Sequence, residues 1–81
     1  ASHPPMSRLE KLFAKLRNHD ADNSWTFSEV VLLLEGAGYA LDCTTGSHHI
    51  FRAQNQKHIS IPRHGDKVKS GYIKLIRKEI T

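Results

Sequence analysis

Leu9, Leu12, Phe13 and Leu16 recur at intervals of three and four residues, the spacing that gathers side chains on one side of an α-helix. They predict an amphipathic helix over residues 8–18. Ser7-Arg8-Leu9-Glu10 stands at its start in the S-x-x-E form, in which Ser and Glu side chains satisfy the first free amides. Asn18 to Ser24 reads as a polar linker. A second box, Thr26-Phe27-Ser28-Glu29, opens another helix, with Val30, Val31, Leu33 and Leu34 as its buried stripe and Gly36 and Gly38 at its end.

The period then changes. Tyr39–Thr45, His48–Ala53 and His58–Pro62 are short segments rich in β-formers, separated by Thr45-Gly46 and by Gln54-Asn55-Gln56. They predict a three-stranded antiparallel meander, closed by Pro62, which has no amide to donate to a ladder. His64-Gly65-Asp66 is a turn, and Asp66 or Ser70 can cap a last helix. Its apolar face is Val68, Tyr72, Ile73, Ile76 and Ile80, with Lys69, Lys74, Arg77 and Lys78 on the remainder. The order α-α-β-β-β-α predicts an α+β fold, a three-stranded antiparallel sheet with helices on one face and the other face open.

At 81 residues the chain has room for a single domain, and one this short has a thin stability margin. Ala1 to Pro5 before Met6 read as an expression scar and an initiator, leaving residues 7–81 as the domain. No signal peptide follows Met6, so a cytoplasmic location is expected, and no apolar run nears the roughly 20 residues of a membrane helix. The single cysteine, Cys43, lies in an apolar-alternating stretch and is expected to be a small half-buried side chain. Charge changes the picture more. Residues 46–81 carry eight Lys/Arg against Asp66 and Glu79, a net +6, whereas residues 1–45 carry four basic and six acidic side chains, a net −2. A basic half suits a polyanion such as RNA or DNA, although a solvated Lys-rich helix would have the same composition.

Alternation assigns side chains to faces. In the second strand His49 and Phe51 share one face, and His48, Ile50 and Arg52 share the other. Ile59 and Ile61 of the third strand pair with Phe51 in the core, so His58 and Ser60 point outward with His48 and Arg52. The expected open face is a compact patch of imidazole, guanidinium and hydroxyl. Cutting RNA without a metal needs a base for the 2′-hydroxyl and cations for the charge that develops on phosphate. Histidine and arginine or lysine suit these tasks at neutral pH. Against this stands the plain reading, in which surface histidines on a strand do nothing. A metal site is disfavoured, because adjacent His48 and His49 point to opposite faces and no pair of carboxylates joins the outward face.

Thr45-Gly46-Ser47-His48-His49-Ile50-Phe51-Arg52 resembles the G-S-H-x-x-[FY] strand of HicA toxins, the ribonuclease halves of bacterial HicA–HicB toxin–antitoxin pairs. Gly38-Tyr39, the strand Ile59-Ser60-Ile61-Pro62, the following Arg63-His64 and the helix from Val68 to Ile76 continue the resemblance, which covers about residues 27–81. It implies a double-stranded-RNA-binding-domain type of fold and an mRNA interferase that needs no metal or small-molecule cofactor. It places the catalytic histidine on His48. Ser47, Arg52, Lys57, His58, Arg63 and Lys69 become candidate RNA contacts, and His58, His64 or water the general acid. The implied partners are mRNA and a HicB-type antitoxin covering the face that bears His48. The alternative is a non-catalytic RNA-binding module, since this type of fold also binds duplex RNA by shape. The helix over 8–18 lies outside the resemblance and is expected mainly to cover core.

Overall fold

The computed structural model describes residues 7–80; the expected scar and Met6, at residues 1–6, lie outside the described residues. The first helix, α1, runs Arg8–Arg17, and the Ser7 side chain accepts from the Glu10 amide at 3.1 Å. Only this half of the expected box forms, since among the described residues the Glu10 side chain makes no bond back to the Ser7 amide. The second, α2, runs Phe27–Gly36 behind a complete capping box, in which Thr26 accepts from the Glu29 amide and Glu29 accepts from the Thr26 amide at 2.9 Å. Burial alone would raise the Glu29 pKa, but the bonds from Thr26 and Lys15 outweigh it and hold the carboxyl below its ordinary value. Leu9 of α1 lies against Gly36, where a β-carbon would collide with it, so the two helices meet closely at that point.

Strands β1 (Ala40–Thr45), β2 (His48–Arg52) and β3 (Ile59–Pro62) form an antiparallel sheet in the order β1-β2-β3, followed by α3 (Ser70–Ile80). The order and class are those expected, α-α-β-β-β-α in an α+β fold. Gly46 turns β1 into β2 at φ 60°, a left-handed conformation that glycine adopts without penalty. Phe51, Ile59 and Ile61 are buried with Val30, Leu33, Leu34, Ile73 and Ile76 in one core. The helices therefore cover one face of the sheet, while His48, Arg52 and Ser60 on the other stay exposed.

Two sequence expectations are corrected. The stretch 18–24 is no plain linker: it holds a 3₁₀ turn, His19–Ala21, and the buried Asp22. Asp22 is buried because the Arg77 guanidinium reaches it from α3, which satisfies the charge that burial would otherwise penalise. Cys43 is exposed, not half-buried. A β-bulge between Leu41 and Cys43 shifts the register, so Cys43 pairs with Ile50 where uninterrupted alternation would pair it with His49. Its exposure belongs to the whole strand: β1 is an edge strand exposed along its length, and even Leu41, the partner of buried Phe51, is 52% exposed.

Candidate active site

β2 is the central strand, and its first residue, His48, pairs with Thr45 on one side and Pro62 on the other. The His48 side chain is exposed and makes no hydrogen bond to a described residue. Its neighbour His49 faces the helices. The His49 ring meets Phe27 edge-on at 4.7 Å between centroids, and its Nδ1 lies 3.2 Å from the Ser47 carbonyl. That bond requires the proton on Nδ1. The Ser47 carbonyl also accepts the Arg63 amide at 2.7 Å, tying the β1–β2 turn to the chain that leaves β3. Alternation thus divides the pair as expected: one imidazole is open to solvent and the other is engaged in packing.

The remaining candidates disperse. Arg52 shares the open face with His48, but its Nε donates to the Asp42 carboxylate at 2.7 Å. That ion pair is half exposed and adds little stability, yet it balances the Arg52 charge locally. Lys57 and His58 precede β3, at the far end of the β2–β3 hairpin from His48. Four steps along the strand separate the ends of the five-residue β2, about 13 Å at the usual rise. The expected compact patch is therefore a stripe along the strands, with His58 remote from His48. Arg63 lies over the Phe27 ring at 5.0 Å, with Asp66 3.9 Å away, so it belongs to the helix side. Ser60 sits opposite Ile50 in mid-stripe.

Lys69 lies elsewhere, in a groove lined by Asn23, Pro62, His64, Lys67, Val68 and Tyr72. Pro62 is the cross-strand partner of His48, so this groove adjoins the histidine. From sequence Tyr72 counts only as helix face, and Lys67 is not among the candidate contacts. The available signal was Lys67-Val68-Lys69, an apolar anchor with a cation on each side. Among the described residues no three His, Cys, Asp or Glu side chains come together as a metal-ligand group. No described helix is long and apolar enough to cross a membrane.

No curated protein and no solved structure matches the chain. Residues 27–81 match the family model described as the HicA toxin of bacterial toxin–antitoxin systems, so α1 and the 3₁₀ turn precede the matched region. With a match over more than half its length, on the segment that carries His48 and the whole sheet, this chain belongs to the HicA toxin family, whose members are generally ribonucleases.

Proposed function

We propose that the chain is a metal-independent endoribonuclease acting on mRNA, with His48 as the general base. In this reading the His48 imidazole takes the proton of an RNA 2′-hydroxyl, and the 2′-oxygen attacks the adjacent phosphorus. The bond to the 5′-oxygen breaks, leaving a 2′,3′-cyclic phosphate and a 5′-hydroxyl. The departing oxygen takes a proton from water or from His64, which lines the groove beginning at His48's partner Pro62. Arg52, Lys57, Ser47 and Arg63 stay secondary candidates for RNA contact. The observation that carries the reading is the division of the histidine pair within a HicA-family strand: His48 is exposed and unpartnered among the described residues, and His49 is packed on Phe27. A HicB-type antitoxin would silence the enzyme by covering His48, aided by acidic residues facing the basic half.

The test is RNA cleavage in excess EDTA by the native chain, His48→Ala and His49→Ala, with end-group analysis and thermal unfolding of each protein. Cleavage that resists EDTA, yields cyclic phosphate ends and vanishes with His48→Ala at unchanged stability is the expected result. His49→Ala should unfold more easily by about 1 kcal/mol, the worth of an aromatic edge contact, and still cut. A folded native chain that binds RNA and never cuts it would overturn the proposal in favour of a binding module.

A further inference from the structure

Two of the cations first assigned to phosphate are held by the protein itself, Arg52 by Asp42 and Arg63 by Phe27 and Asp66. Lys67, Lys69 and His64 are different. They line one groove with Pro62 and Tyr72, no acidic residue shares its wall, and none of the three forms an ion pair among the described residues. The groove encloses about 340 Å³, at the small end of ligand sites. It begins at Pro62, whose α-carbon is about 5 Å from that of His48 in antiparallel pairing.

The groove wall is anchored by the core. The Val68 amide donates to the Trp25 carbonyl at 3.2 Å, and the Phe27 amide donates to the Asp66 carbonyl at 2.6 Å. Val68 itself is buried, and it fixes the backbone from which Lys67 and Lys69 project. Cations on a pinned backbone lose less freedom on binding than cations on a loose loop. Tyr72 comes from the first turn of α3 and is half-buried.

We propose that this groove is the subsite for the nucleotide next to the scissile phosphate. Lys67 and Lys69 hold its phosphate, and Tyr72 stacks on its base. The placing of the cut rests on the ribonuclease reading of His48; the binding of RNA in the groove does not. Cations beside an aromatic ring that lines the same groove, as the half-buried Tyr72 does, are the pattern of single-stranded nucleic-acid sites. An acidic protein partner fits less well, because a protein interface needs about 800 Å² per partner and this groove has room for about one base.

The experiment measures anisotropy of a fluorescein-labelled single-stranded RNA against salt, using the whole 81-residue chain carrying His48→Ala so that nothing is cut. Adding Lys67→Gln with Lys69→Gln should weaken binding at least tenfold. It should also lower the slope of log affinity against log salt by about 0.7 per lost contact. Tyr72→Leu should weaken binding about fivefold, and Tyr72→Phe should bind like the parent. Tyr72 packs against core, so circular dichroism accompanies each variant; the exposed lysines keep the test decisive if Tyr72→Leu fails to fold. A folded double-lysine variant with parental affinity and slope overturns the subsite, even if it loses antitoxin binding. Cleavage by the native chain is scored in parallel. If that chain cuts and the lysine variant binds RNA normally, the groove alone is wrong; if it never cuts while the lysine variant loses binding, the ribonuclease reading alone is wrong.

Discussion

Arg77 and Asp22 are 55 positions apart in sequence and form a forked ion pair, with Arg77 Nη1 3.3 Å from Asp22 Oδ2 and Nη2 on Oδ1. Arg77 Nε also donates to the Leu16 carbonyl at 2.7 Å. One side chain of α3 thereby holds both the end of α1 and the turn after it. Both partners are largely buried, so losing one leaves an uncompensated charge in a poorly solvated place. Asp22→Asn should lower unfolding free energy by about 3 kcal/mol, read from urea midpoints. An unchanged midpoint would mean that the pair is incidental to α3 docking.

The same pair sets an acid limit. The hydrogen bond from Arg77 holds the Asp22 carboxyl below its ordinary pKa, and Glu29 is held low as well. A depressed folded pKa contributes stability that is fully present above the unfolded value, near 4, and is lost as pH falls through the folded value. Urea midpoints should hold from pH 7 to about pH 5 and then decline steeply below about pH 4. In Asp22→Asn the decline should be shallower; an identical decline would remove Asp22 as a cause.

The family match begins at residue 27, yet the core does not. Leu12, Leu16 and Trp25 are buried at 4%, 0% and 0% exposure, and all three precede it. A chain starting at Phe27 should give no cooperative thermal transition. In the full chain, Leu16→Ala should cost about 2–5 kcal/mol. A sharp transition from residues 27–81 alone would show α1 to be dispensable. The core-covering role expected of this helix agrees with that burial.

Cys43 offers a direct check on the open edge strand β1. An exposed thiol reacts with an aromatic disulfide reagent in the native protein as fast as in urea. Protection of the native thiol by tenfold or more would mean that β1 is covered and not an open edge. Asp42, the residue left out of the pairing at the bulge, carries the carboxylate that holds Arg52.

Local interactions made much of this protein readable from its sequence. The Ser7 N-cap, the Thr26–Glu29 capping box, the three helices, the three strands and the burial of Phe51, Ile59 and Ile61 follow from contacts within a turn or from alternation along a strand. The separation of His48 from His49 was legible for the same reason, because neighbours on an unbroken strand must face opposite ways. The bulge at Leu41/Cys43 was not legible, since a one-residue slip depends on how β1 lies against β2. Neither was the Asp22–Arg77 pair, nor the groove that joins Asn23, Pro62, His64, Lys67 and Tyr72. Sequence by itself determined the elements, their order and the face that carries His48. Tertiary structure decided which cations are held by acidic partners and which line the groove that begins at Pro62, because a charge's partner is set by distance in space, and segments far apart in the chain meet only when the core has closed.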